Sequence, residues 1–73
     1  MSPELSVVIP IRNESPNIEA LYVEMTEALG AWGRSYEVIA VDDGSTDDSF
    51  DRLCRIQARD QRWRIIRFRR NFG

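Results

Sequence analysis

Two adjacent carboxylates stand where an apolar stretch of the chain ends. Residues 38–41 are all apolar, and Asp42 and Asp43 follow them directly, before Gly44 and a turn rich in hydroxyl groups. In an extended strand neighbouring side chains point to opposite faces, so one acid can face a ligand while the other braces the loop. The ligand-facing carboxylate could accept hydrogen bonds from a nucleobase or a ribose, or hold a metal ion through phosphate. The alternative is that both acids only form turns and caps.

A second polar group follows another apolar stretch. Residues 5–11 are mostly β-branched and include Pro10, and Glu14 comes shortly after them. Both stretches are typical of strands buried on both faces in a parallel sheet. The carboxyl ends of parallel strands open on one edge, where α/β sheets bind ligands, so we expect Glu14 and Asp43 to lie near each other. A site with several hydrogen-bond acceptors and few cationic side chains suits a nucleoside better than a bare phosphate group.

A helix is predicted between these two strands. Its apolar face has helical spacing and consists of Ile18, Leu21, Tyr22, Met25 and Leu29. We expect Ser15 to cap the helix, Pro16 to lie in its first turn, and Gly30 and Gly33 to stop it. A strand, a helix and a second buried strand predict a βαβ unit.

A second helix and a third strand are predicted after the acidic turn. The helix is expected to begin near Ser45 or Thr46, with Ser45 and Asp48 as a capping box. The side chains expected to face the sheet are Phe50, Leu53, Cys54 and either Gln57 or Ala58. Residues 64–69 form the third strand, and their arginines indicate an edge or rim position. The element order predicts an α/β fold with parallel strands.

Composition limits the classes of function. The chain has 73 residues, 42% of them hydrophobic and 30% charged, which indicates one globular domain at most, and we expect it to be part of a larger sheet. The absence of lysine and histidine excludes a P-loop and a Ser–His–Asp triad. The single cysteine, Cys54, excludes an internal disulfide and favours a reducing compartment. The longest uncharged apolar stretch is far shorter than the roughly 20 residues that span a bilayer.

Positive charge is concentrated in the last third of the chain. Residues 51–73 hold most of the arginines, whereas residues 1–50 are strongly acidic. Three interpretations are open: a solvated helix face with a strand rim, a surface for anionic lipid or a lipid phosphate, and nucleic-acid binding. The acidic first half argues against nucleic acid as a partner.

Three segments carry a resemblance to a known family. Residues 7–14 (VVIPIRNE) and 38–47 (VIAVDDGSTD) resemble the N-terminus of family 2 glycosyltransferases with the GT-A fold. Residues 69–73 (RRNFG) are similar to the polyprenyl-phosphate branch, which includes dolichyl-phosphate mannose synthase and undecaprenyl-phosphate glycosyltransferases. The resemblance implies that residues 1–73 are a single partial domain, the β-α-β-α-β part of a Rossmann-like nucleotide-binding sheet, truncated at residue 73.

The resemblance also implies an activity. Family members transfer a sugar from a nucleotide-diphosphate sugar to an acceptor, here a polyprenyl (dolichyl or undecaprenyl) phosphate, with Mg²⁺ or Mn²⁺ in the full-length enzyme. The expected location is the cytoplasm or the cytoplasmic face of a membrane, with membrane-surface association of the parent protein. The D-x-D metal motif, the catalytic acid and the arginines that contact diphosphate are expected beyond residue 73. This chain alone is therefore expected to contain no catalytic residue and no metal ligand, and to be inactive as a transferase.

The same resemblance assigns substrate-binding residues. The positions that match the donor pocket are Pro10, Arg12, Glu14, Val41, Asp43 and, as the alternative within the acid pair, Asp42. The first three match positions that line the nucleoside pocket, whereas Val41 and Asp43 match positions that contact the base and the ribose. Arg12 stands where the family commonly has an aromatic residue, and its guanidinium can still stack on a base.

Two alternatives belong to other classes of protein. A phosphorelay receiver domain also ends a strand with two aspartates, but it needs that pair on its first strand, together with a later aspartate and a lysine. The second alternative is a non-catalytic nucleotide-binding or structural protein that keeps only half of a donor site. Nucleotide binding that weakens in Asp43→Ala would distinguish a working pocket from a structural remnant.

Overall fold

The computed structural model describes residues 2–68, which form a single parallel sheet with two helices. The elements are β1 (Leu5–Ile11), a 3₁₀ turn (Ser15–Asn17), α1 (Ile18–Trp32), β2 (Tyr36–Asp43), α2 (Ser49–Arg59) and β3 (Trp63–Phe68). The strand order is β1-β2-β3, and both strand pairs are parallel. The predicted α/β fold with parallel strands is confirmed, and so is the edge position of β3 within this sheet. The similarity in residues 69–73 lies outside the described residues.

Both helices cover one face of the sheet. The core consists of Ile11, Ile18, Tyr36, Val38, Ala40, Leu53, Ile56 and Trp63, with the predicted apolar face of α1 packed against it. In α2 the buried apolar positions are Leu53, as predicted, and Ile56, which was not among the predicted positions. Gln57 and Ala58 are exposed, so neither faces the sheet. Alternate residues of β2 are buried, because only one face of the strand meets the helices.

The opposite face of the sheet is open in residues 2–68. The prediction that β1 is buried on both faces is wrong, since the side chain of Val8 is 61% exposed. Ile66 and Phe68 of β3 are exposed on the same face as Val8. The apolar sequence of β1 suits burial on both faces, but within the described part of the chain a layer of helices lies on only one side.

Both helices begin later than predicted. The segment after β1 first makes a 3₁₀ turn, and α1 has Asn17 rather than Ser15 at its N-cap. α2 begins at Ser49 with Asp48 at its N-cap, so the predicted start and capping box at Ser45 are wrong. The serines are used elsewhere, because they connect the two loops described below. At its other end α1 passes through Gly30 and stops at Gly33, whose left-handed φ of 79° ends the helix.

A buried carboxylate joins both helices to β3. Asp60 follows α2, and its side chain accepts hydrogen bonds from the Tyr22 hydroxyl (3.0 Å) and from the Arg62 guanidinium (3.0 and 3.1 Å). The ring of Tyr22 also packs edge-on against Trp63 of β3, with 5.4 Å between ring centroids. This cluster fixes the helix layer towards the amino ends of the strands, away from the acid pair.

Candidate nucleotide-binding site

The acid pair ends β2 with its two side chains on opposite faces, as strand geometry predicts. Asp42 is fully buried on the helix side, where its Oδ1 accepts the Ser45 backbone N–H at 3.1 Å. Its Oδ2 lies 3.9 Å from Nε of Arg67. Asp43 is half-buried and belongs to the open face of the sheet. Asp42 therefore braces the turn, and Asp43 is the acid whose position suits contact with a ligand.

Two loops meet at the carboxyl edge of the sheet. The first loop, residues 12–14, follows β1, and the second loop, residues 44–48, follows β2. Asn13 donates its backbone N–H to Ser45 Oγ at 2.9 Å, and its Oδ1 accepts the backbone N–H groups of Thr46 (2.8 Å) and Asp47 (3.3 Å). The ends of the two strands therefore meet through hydrogen bonds between the loops, whereas the predicted approach of Glu14 to Asp43 stays a prediction.

The residues next to these loops extend the connection. Glu14 donates its backbone N–H to Ser49 Oγ at 3.0 Å, and the Ser15 N–H reaches Asp47 Oδ2 at 3.3 Å. The Ser15 hydroxyl donates to Asp48. The hydroxyl residues that resembled helix caps in the sequence therefore form hydrogen bonds between segments that are far apart in the chain. Only the register of β1 on β2 brings these segments together, so the local sequence pattern could not predict these hydrogen bonds.

These contacts also set the charge of the second loop. The hydrogen bond from Ser49 holds the pKa of Asp47 below its usual value. The hydrogen bond from Ser15 does the same to the pKa of Asp48, with help from Arg52. A carboxylate that accepts such bonds is stabilised in its charged form. The second loop therefore stays anionic at neutral pH and well into the acid range.

A cleft of about 430 Å³ opens between β1 and α1 beside the first loop. Pro10 and Glu14 line it, together with apolar side chains that include Ile9, Ile11 and Ile18. Its volume lies within the range of small-molecule sites, which is roughly 300–1,000 Å³. The cleft therefore brings an acidic rim and an apolar wall together.

The remaining candidate residues lie outside this cleft. Val41 pairs with Pro10 across the β1–β2 ladder, and Asp43 follows two residues later on the same open face. Arg12 is exposed in the first loop. The structure thus gathers the candidate residues at one edge of the sheet but divides them between the cleft and the open face.

Most of the described arginines near the C-terminal end are paired with acids. Arg52, Arg59, Arg62, Arg64 and Arg67 each lie within 3.9 Å of a carboxylate oxygen. Arg67 also packs its guanidinium over the Phe50 ring at 4.4 Å. This pairing favours the interpretation of the arginines as a solvated helix face and strand rim. Within residues 2–68 no helix is long and apolar enough to cross a membrane.

The described side chains do not form a metal site by themselves. In residues 2–68 no group of three acidic, cysteine or histidine side chains could hold a metal ion. One carboxylate oxygen of the buried Asp42 accepts a hydrogen bond from the turn, and the other lies 3.9 Å from Nε of Arg67 with no hydrogen-bond partner among the described residues. The Mg²⁺ or Mn²⁺ that the resemblance implies for the full-length enzyme stays a prediction, and no step through a metal ion follows from residues 2–68.

The fold and the loop pair define a class of protein. Parallel strands with both helices on one face, and polar loops at the carboxyl edge, are consistent with the N-terminal part of a Rossmann-like GT-A domain. The acid pair ends the second of the described strands, whereas a phosphorelay receiver needs it on the first, which argues against that alternative.

Comparison with known proteins gives the family. The family model for glycosyl transferase family 2 matches residues 6–73. The chain belongs to glycosyltransferase family 2.

Two curated relatives are uncharacterised glycosyltransferases. The chain is 38% identical to the glycosyltransferase sll0501 of Synechocystis sp. (strain ATCC 27184 / PCC 6803 / Kazusa) over 73 residues, which cover 100% of this chain and 23% of that protein. It is 37% identical to YkcC of Bacillus subtilis (strain 168) over 70 residues, which cover 96% of this chain and 22% of that protein. The chain therefore spans less than a quarter of the length of either relative.

Proposed function

We propose that this chain forms the nucleoside-binding part of the donor site in a sugar transferase that uses a nucleotide-diphosphate sugar. The observation that carries the proposal is the pair of loops joined by hydrogen bonds at the carboxyl edge of β1 and β2. Such an edge is where open α/β sheets bind their ligands. The family match supports a sugar-transferring enzyme, and the acidic loops favour the neutral nucleoside over the diphosphate as the group bound here.

Each candidate residue has a role in this proposal. Asp43 accepts hydrogen bonds from a base N–H or from a ribose hydroxyl, and Glu14 offers a second acceptor at the cleft. Pro10 and Val41, which are partners across the ladder, support the flat base with an apolar surface. Arg12 is exposed beside them and stacks its planar guanidinium on the base. Asp42 serves the turn rather than the ligand.

The acceptor in this proposal is a polyprenyl phosphate of the dolichyl or undecaprenyl type. The sequence similarity of residues 69–73 to that branch supports it. The transfer machinery belongs to the full-length enzyme, which would use Mg²⁺ or Mn²⁺. A site formed by these residues alone binds a nucleotide but transfers no sugar.

Calorimetric titration of the chain with uridine, guanosine and thymidine diphosphates tests the proposal. We expect one nucleotide to bind, and Asp43→Ala to weaken that binding roughly ten- to hundredfold, because a hydrogen bond to a charged acceptor contributes roughly 1.5–3 kcal/mol. Asp51→Ala is the matched control, since it removes the same charge from an exposed position in the first turn of α2.

The result separates three outcomes. Equal weakening by both substitutions would show a general charge effect and would contradict the assigned role of Asp43. Absence of binding to every nucleotide, with circular dichroism showing a folded chain, would favour the structural alternative. A selective loss in Asp43→Ala supports the donor site.

A further inference from the structure

We propose that Asn13 is the positioning residue of the loop pair, which holds the second loop against the first so that Arg12, Glu14 and Asp43 keep a fixed arrangement. Asn13 itself contacts the second loop rather than a ligand. The proposal rests on the proposed function in one respect, because the arrangement matters for nucleotide affinity. Its structural part is independent of any ligand.

The backbone of Asn13 adopts an unusual conformation. Its φ is 51°, and it is the one non-glycine residue with positive φ in residues 2–68. Asparagine tolerates this left-handed region better than most residues with a Cβ atom. The conformation turns the chain after β1, and the Asn13 N–H then reaches Ser45 Oγ at 2.9 Å.

The side chain of Asn13 acts as an acceptor for the second loop. Its Oδ1 receives the Thr46 N–H at 2.8 Å, the Thr46 hydroxyl at 3.3 Å and the Asp47 N–H at 3.3 Å. Backbone N–H groups are donors only, so the carbonyl oxygen of the amide, and not its NH₂ group, must face the loop. A single oxygen thus holds two consecutive residues just before α2.

The place of Asn13 in the chain makes this contact relevant to the site. It stands between Arg12 and Glu14, and the loop that it holds begins directly after Asp43. Release of the second loop would change the spacing between the acid at the end of β2 and both residues of the first loop. Nucleotide affinity depends on such spacing, because a mobile loop loses conformational freedom when it orders on a ligand.

The exposure of Asn13 allows its positioning role to be separated from a role in folding. Asn13 and Thr46 are both exposed, so truncation of either removes no packing from the core. Truncation of the Asn13 side chain removes hydrogen bonds between the loops, each of which contributes about 0.5–1.5 kcal/mol, and no core contact. Loss of the loop contact should therefore leave the core packed and show most directly in loop dynamics and affinity.

Two substitutions divide the contributions of backbone and side chain. Asn13→Gly keeps the left-handed backbone but removes the acceptor, whereas Asn13→Asp keeps an acceptor oxygen in a residue that also tolerates positive φ. Thr46→Val is the control that removes only the hydroxyl contact and leaves the 2.8 Å backbone bond in place.

The first measurement is amide hydrogen exchange of the chain without ligand. We expect the N–H groups of Thr46 and Asp47 to exchange several times faster in Asn13→Gly, and to regain protection in Asn13→Asp. Exchange at the wild-type rate in Asn13→Gly would overturn the proposal, whatever the chain binds.

The second measurement is the affinity for the nucleoside diphosphate that binds the wild-type chain best. We expect Asn13→Gly to weaken it about tenfold, the scale of one or two lost hydrogen bonds, while Asn13→Asp and Thr46→Val stay within threefold. Wild-type affinity in Asn13→Gly, with Asp43→Ala still weakened, would reject the positioning role and leave the proposed function intact. If no nucleotide binds the wild-type chain, the proposed function fails, and the exchange rates still decide whether Asn13 holds the loop.

Discussion

The carboxylate of Asp60 shows how one buried acid can connect elements that lie far apart in the chain. It accepts the Tyr22 hydroxyl from α1, while the guanidinium of Arg62 binds it with two nitrogens. The Trp63 N–H donates to its backbone oxygen as β3 begins. Since a buried acceptor that loses its donors is costly, Asp60 contributes to stability rather than to the proposed donor site.

This cluster predicts how stability changes in acid. The hydrogen bonds from Arg62, with a smaller contribution from Tyr22, hold the pKa of Asp60 below its ordinary value of 3.8. A folded-state pKa below the unfolded one adds stability that is present above pH 3.8 and is lost as the pH falls through the folded-state pKa. We expect Asp60→Asn to lower the free energy of unfolding by about 2 kcal/mol at pH 6, and the difference from wild type to shrink as the pH falls.

Urea unfolding at several pH values measures this effect. Asp51→Asn serves as the control, because Asp51 is exposed on α2 and its loss should leave the slope of stability against pH close to that of wild type. A constant difference between Asp60→Asn and wild type from pH 6 to pH 2.5 would show that the charge of Asp60 is not the stabilising feature.

At the scale of elements, α1 contains two glycines with opposite conformational demands. Gly30 lies inside the helix, and a Cβ atom added there meets nothing within 4 Å. Gly33 ends the helix with a φ of 79°, where its N–H bonds the carbonyl groups of Gly30 and Leu29. The same substitution should therefore change stability in opposite directions at these two positions.

We expect Gly30→Ala to raise the free energy of unfolding by about 0.5–1 kcal/mol, because alanine restricts the unfolded chain and favours the helix. Gly33→Ala should lower it by about 1 kcal/mol, since an L-residue is strained in the left-handed region. Chemical denaturation of the two variants in parallel gives the comparison. A gain in stability for both, or a loss for both, would contradict a helix end at Gly33 in the left-handed conformation.

The helices also show which local features the sequence could predict. Apolar spacing gave the buried face of α1 because a helix has a fixed period. It did not give the helix starts, since Ser15 and Ser45 bind across to the other loop instead of capping their own helices. Hydroxyl groups serve both purposes equally well, and only tertiary structure decides between them.

At the scale of the whole molecule, the sheet topology was predictable and the burial of its faces was not. Alternating strands and helices predict a parallel sheet, and the structure confirms it. The apolar sequence of β1 predicted burial on both faces, yet in residues 2–68 both helices pack on one side. The position of the acid pair at a strand end followed from the sequence, whereas the hydrogen bonds of Asn13 to the second loop depend on a register that no local pattern encodes.

The open face carries the last prediction. Val8 is 61% exposed there, Ile66 and Phe68 are exposed beside it, and the described sheet has β1 and β3 at its edges. Exposed apolar surface next to unpaired strand edges favours association between copies, and a charged side chain on an edge strand opposes it.

We therefore expect the mass of the 73-residue chain in sedimentation experiments to rise with concentration, and Val8→Lys to reduce that rise severalfold. Val23→Lys is the matched control, because Val23 is 49% exposed on α1 and away from the open face. A monomeric wild-type chain at every concentration, or an equal effect of both substitutions, would show that the open face does not drive association.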